Sequence, residues 1–240
     1  MTGRALARRI VAPLLATVGL AGLAWAGAWR VPAWWWQDGG SPPVAPVVDP
    51  ERRTVTIPAT LHPDALEEAD PPSHHLVTWA GGRAGHKAFL RTAVPDVAIL
   101  DALEALGGRP GDTLREESWT RRDDPDDPAA DLRAEGSRLE VGVVLPGADG
   151  ADGAVHDISA LLEDVDDKGY EWRLAGNRAL IAVWRSGCVV CLQSCPGGRV
   201  GNARATMRDH LHARSRFRAS PLARSLGEGA RVKVVLALTE

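Results

Sequence analysis

Twenty consecutive residues without a charged side chain, Ile10 to Trp29, leave this chain few ways to place its amino end. At about 1.5 Å per residue a helical run of that length crosses the ~30 Å hydrocarbon of a bilayer, where a backbone has few alternatives to a helix. Arg4, Arg8 and Arg9 precede the run, and Trp29, Arg30 and Trp34 to Trp36 follow it. Basic residues before a span and aromatic residues after it fit an anchor whose amino end stays in the cytoplasm. "AWA" at 24–26 offers a small-residue cleavage site as the alternative. Residues 1–36 are expected to be a membrane anchor or signal segment that meets the membrane through residues 10–29. The remaining chain is expected on the outer side. "GGSPPVAPVVDP", residues 39–50, carries four prolines in twelve residues and reads as semi-rigid extended spacer. The linker is set at 37–50 and the folded domain at 51–240.

With 45% hydrophobic residues the chain can bury one good core, and a net charge of −3 implies no general attraction to nucleic acid. "RTVTIPATL" alternates Val55, Ile57, Ala59 and Leu61 against polar neighbours, a half-buried strand placed at an edge by Pro58. "HLVTW" and "HKAFLR" flank "AGGRAG" as a strand pair. "PDVAILDALEALGG" spaces Ile99, Leu100, Leu103 and Leu106 as a helix with start and stop signals. "RLEVGVVL" and "RVKVVLALT" read as strands and "DISALLEDV" as a short helix. "YEWRLA" and "RALIAVWR" flank Gly176 and Asn177, which predicts a hairpin with Trp172 and Trp184 on facing strands. The expected fold class is α+β, a strand-rich single domain with two or three short helices, preceded by one transmembrane or signal helix.

Charge is unevenly spread. Residues 116–135 carry eight acidic side chains against three arginines and read as a solvated loop. Residues 199–224 carry seven arginines against Asp209, either a solvated basic surface or charge compensation beside an anionic site.

Every cysteine falls in "SGCVVCLQSCPGGRVGN" as C-x2-C-x3-C-P, at Cys188, Cys191 and Cys195. Thiolates at that spacing can converge on one centre, and Gly197 and Gly198 let backbone amides approach it. The spacing shares its last two intervals and its proline with the bacterial ferredoxin run, without that run's first cysteine. A zinc site completed by histidine and a thiol–disulfide pair use the same residues.

"HHLVTWAGGRAGHKAFLRTAVPDVAILDALEALGGRPGD", "YEWRLAGNRAL" and "GCVVCLQSCPGGRVGNAR" together resemble the YdjY-like domain of bacterial exported proteins. Cysteine-bearing members are described as 4Fe-4S ferredoxin-like, which implies that Cys188, Cys191 and Cys195 hold a 4Fe-4S cluster. The resemblance also places a histidine at His86, the expected fourth ligand, with Asp209, His210 and His212 as local alternatives and an iron open to water or a partner's ligand as the remaining one. His74 and His75 read as a surface pair with no functional ligand. No catalytic constellation stands out.

Two functions follow as expectations. One is a membrane-tethered iron–sulfur protein of the bacterial cytoplasmic membrane, with an outer folded domain and an unknown redox partner protein, active in electron transfer or redox sensing. The other is a binding or assembly module with structural zinc or a Cys188–Cys191 disulfide. A cluster assembled in the cytoplasm implies export in the folded state, for which Arg8 and Arg9 supply a partial twin-arginine pair.

Overall fold

The computed structural model describes residues 44–68, 72–147 and 152–239. Its architecture rests on three long strands: β2 (Thr54–Leu61), β5 (Arg138–Pro146) and β12 (Arg231–Leu238). Each alternates apolar and polar side chains over much of its length, and the apolar set faces inward: Val55, Ile57, Ala59 and Leu61 meet Val232, Val234 and Leu236 in one core. A period of two on a pleated strand places one set on one face. β12 pairs antiparallel with β2 along Arg231–Ala237 and with β5 along Lys233–Leu238.

Shorter strands complete the circuit: β8 (Trp172–Leu174), β10 (Val200–Asn202), β9 (Cys188–Cys191), β3 (His75–Trp79) and β4 (Leu90–Thr92). The order is β2-β12-β5-β8-β10-β9-β3-β4, and β4 pairs back onto β2 at Thr60 and Leu61. The sheet therefore closes as an eight-stranded barrel. β1 (Val47–Asp49) adds to β2, and β6 (Asp152–Asp157) adds to β5. A separate ribbon joins β7 (Leu162–Asp164) to β11 (Phe217–Ala219). Residues from Pro42 to Glu240 form one compact unit.

Closure corrects the expected α+β class. Once β4 pairs with β2 the core lies inside a ring of strands, so helices serve as short plugs and covers rather than as a layer. They are α1 (Asp96–Ala105), α2 (Glu117–Thr120), α3 (Arg178–Trp184), α4 (Met207–Leu211) and α5 (Pro221–Leu226). Among the described residues no helix is long and apolar enough to cross a membrane. The span expected over residues 10–29 lies outside the described residues, as does the rest of segment 1–36.

Three local expectations also change. β2 lies within the ring, and Pro58 falls in the gap between the residues paired to β1 (54–56) and those paired to β4 (60–61). β3 and β4 run parallel rather than as a hairpin. The glycines between them serve close backbone approach, since a Cβ on Gly82 would collide with Ser186 and Gly187. The expected hairpin over residues 170–185 is a strand followed by α3, because Asn177 caps the helix by accepting from the Leu180 amide (3.1 Å). "DISALLEDV" divides into a 3-10 turn, Ile158–Leu161, and strand β7.

Candidate metal centre

β9 carries Cys188 and Cys191 and pairs antiparallel with β3, which sets His75 opposite Cys191. Residues three apart lie on opposite faces of a regular strand and about 10 Å apart along it. Their Cα atoms are 6.5 Å apart here. The register shifts twice, between His75 and Val77 and between Val77 and Thr78, and such irregularities re-aim side chains. The two sulfurs meet as a disulfide, and Cys195 is a free, buried thiol beside them.

The loop holding Cys195 is fastened from several sides. The Ser194 amide donates to Ala205 O (2.7 Å), and Ser194 Oγ donates to Asn202 O (3.0 Å). Gln193 Nε2 donates to Ser215 O (3.0 Å). Below it the fully buried Arg199 donates from Nη1 to Gly197 O (2.8 Å) and pairs with Asp96 at the first turn of α1. Gly198 has no room for a side chain, since a Cβ there would stand 2.9 Å from Cys191 Sγ.

Histidines complete the cluster. His74, Cys191 and Cys195 offer donor atoms within 4.8 Å of one another, as do His75, Cys188 and Cys191. His74 Nε2 and His75 Nδ1 are buried and have no hydrogen-bond partner. Burial is the main cause that holds His74 well below its ordinary pKa, with the charges of His75, His210, Arg122 and Lys87 adding to it. Burial likewise lowers His75 to about 4, and burial with Arg122 lowers His210 to about 4. Neutral imidazoles with bare buried nitrogens are metal-ligand chemistry. Burial pushes the Cys195 thiol up to about 11, opposed by the amides of Gly197 and Gly198 and by Arg199. Amides aimed at sulfur stabilise a thiolate, as around sulfur-ligated metals. The three cysteine sulfurs and two imidazoles fall into two overlapping groups that share Cys191, and their chemistry fits a thiolate-binding metal. Cys188 and Cys191 can serve as ligands after two-electron reduction of their bond.

α4 stands over the cluster. Its capping box joins Thr206 and Asp209 in both directions, each amide donating to the other side chain at 3.1 Å. A threonine followed three residues later by a side chain that accepts from its amide is the arrangement such a box needs. Met207 packs on the three cysteines, and the His210 ring lies 4.7 Å from that of His74. Asp209 is taken by the cap and by Lys168 (3.3 Å), while His212 is exposed.

The other singled-out residues lie apart. His86 sits exposed on the turn Gly85–Lys87, belongs to neither donor group, and its carbonyl accepts from Arg91 (2.8 Å). Trp172 is in the barrel core, stacked on Tyr170 at 5.5 Å. Trp184 ends α3 and faces Trp119. Five of the arginines after the cysteines pair within the chain: Arg204 with Glu171, Arg208 with Asp131, Arg214 with Asp209, Arg216 with Asp166, and Arg224 with Asp64 and Glu67. Arg208 thereby binds the acidic segment, which carries α2 and the turn Pro128–Asp131 rather than solvated coil alone.

The YdjY domain matches residues 47–237. This chain belongs to the YdjY domain family. One similar curated relative is the "Uncharacterized protein YdjY" of Escherichia coli (strain K12), 28% identical over 159 residues, 66% of this chain. The match spans 63% of that relative's length. No solved structure matches.

Sequence reasoning set aside the donor atoms nearest the cysteine sulfurs. His74 and His75 adjoin the start of a strand, where a histidine pair is usually exposed. The missing signal was the β3–β9 pairing, which no local pattern states.

Proposed function

We propose that this YdjY domain holds a metal centre on Cys188, Cys191 and Cys195 with His74 or His75 as a further ligand. We propose that the cofactor is a 4Fe-4S cluster and the role electron transfer or redox sensing. The supporting observation is the gathering of three cysteine sulfurs, two of them joined as a disulfide, beside two neutral imidazoles that each keep an unpartnered nitrogen. A cluster supplies one-electron redox chemistry when bound. The chain's residues set its potential: an imidazole in place of a thiolate removes one negative charge, and the amides at Cys195 with buried Arg199 further favour the reduced, more negative state. All of these push the potential upward. The fourth-ligand role expected of His86 passes in this proposal to His74 or His75. The uncharged run 10–29 supports a tether to the bacterial cytoplasmic membrane with the domain on its outer side, where a redox partner protein would meet it.

A single zinc ion on the same ligands is the second reading, favoured by how closely the donors lie. Tetrahedral ligands at bond lengths of about 2.0–2.3 Å stand about 3.3–3.8 Å apart, and each of the two three-residue groups has its donor atoms within 4.8 Å of one another.

Anaerobic purification of the full chain, followed by iron, sulfide and zinc analysis and absorbance spectroscopy, decides between them. About four irons per chain with a broad visible shoulder is expected, lost in His74→Ala or His75→Ala and retained in His86→Ala. Zinc without iron supports the second reading. Absence of any bound metal overturns both and leaves a thiol–disulfide couple.

A further inference from the structure

A cleft of about 630 Å³ opens over the centre, with His74, His75, Cys195 and His210 among its lining residues. Its size suits a small molecule rather than a macromolecular segment. Three cations line it, Arg83, Lys87 and Arg122, and no carboxylate does. Among the described residues no ion pair involves any of the three. The arginines that follow the cysteines are, by contrast, mostly matched to acids. Unmatched cations around a concave, partly apolar site focus positive potential into it.

The walls also contain flat apolar surface. Trp119 and Trp184 meet edge to face with ring centroids 6.5 Å apart. The Arg122 guanidinium lies 4.1 Å above the Trp119 ring and donates to the Trp119 carbonyl (2.5 Å), which fixes it at the cleft. Arg83 and Lys87 are exposed and so stand at the mouth. His74, 5% exposed, also lines the cleft and carries the unpartnered Nε2.

We infer that this cleft binds a small organic anion whose carboxylate or similar oxyanion engages Arg83, Lys87 and Arg122 and whose flat body lies against Trp119 and Trp184. The inference rests on the proposed function only in placing that ligand beside a metal centre. Binding to the walls is separable from metal content, and the test keeps them apart.

The probe is 2-naphthoate, titrated into the full-length protein as purified and after chelation, with tryptophan fluorescence and calorimetry as readouts. Sulfate serves as the anion without a flat body. Saturable 2-naphthoate binding is expected in the millimolar range or tighter. It should weaken at least tenfold in the Arg83→Glu/Lys87→Glu double variant and at least threefold in Trp119→Leu, and remain unchanged in Arg218→Glu. Absence of saturable binding, or binding indifferent to the double variant, overturns the inference. Sulfate binding as tightly as 2-naphthoate overturns the assignment to an organic anion. Metal without naphthoate binding defeats this inference and leaves the proposed function standing, and naphthoate binding without metal does the reverse.

Discussion

Two arcs of one barrel are built on different principles. β2, β12 and β5 run eight, eight and nine residues in unbroken register with one another, with inner faces of valine, isoleucine, leucine and alanine. β8, β10, β9, β3 and β4 run three to five residues, with shifted register between β3 and β9. Around the second arc the buried residues include His74, Thr78, Gln193, Ser194, Arg199 and Asn202. Apolar burial stabilises the first arc and tolerates adjustment, each buried methylene contributing about 0.8 kcal/mol. Buried polar groups in the second depend on a few specific partners, so removing one of those partners adds an orphan and the penalty is local and large.

The largest expected effect comes from breaking the Arg199–Asp96 pair. Arg199 is 0% and Asp96 4% exposed, and burial already lowers the Arg199 pKa to about 10. Asp96→Ala leaves that guanidinium buried without its counter-charge and should cost about 3–5 kcal/mol by denaturant unfolding. Native-state hydrogen exchange should show protection lost first in β9, β10 and the cysteine loop, while β2, β12 and β5 keep theirs. Uniform loss around the ring would merge the two arcs into one cooperative unit.

Acid separates the arcs next. In the metal-free protein His75 and His210 titrate near 4 when folded, against about 6.5 when unfolded. Between those values the unfolded chain binds more protons, so stability is complete above about pH 6.5 and falls as pH drops toward 4, then levels. Each histidine should contribute on the order of 2–3 kcal/mol across that window. Denaturant midpoints measured from pH 7.5 to 4 check this. A His75→Gln/His210→Gln variant should flatten the slope, and an unchanged slope would move the acid sensitivity elsewhere.

The arcs differ equally in how far the sequence disclosed them. Alternation named β2, the segments of β5 and β12 also read as strands, and start and stop signals with 3.6-residue spacing named α1, because a face buried along a whole element writes its period into the chain. "RALIAVWR" has no such signature, being short enough to suit a strand or a helix, and the Asn177 that starts turns also caps helices. The cysteines declared themselves by spacing alone. His74 and His75 did not, since their nearness to the thiols depends on strand pairing and its irregularities. Barrel closure escaped for the same reason, resting on the β4–β2 contact, which involves two residues of each strand.

The smallest effect tests whether the polar arc is sensitive even at its margin. α4 has five residues, too few to persist without its cap and its packing. Thr206→Ala removes the hydroxyl that accepts from the Asp209 amide (3.1 Å) and loosens the reciprocal bond from the Thr206 amide to Asp209. The cost should be about 1 kcal/mol. That helix presses Met207 onto the cysteines and His210 toward His74, so its loss should also open the cleft. Amides 206–211 should exchange faster, with no change in β12. Thr206→Ser retains the acceptor and should restore protection to within a few tenths of a kcal/mol. If Thr206→Ala leaves those amides protected, α4 is held by packing on the sulfurs alone, and the division between a polar and an apolar arc fails at this point.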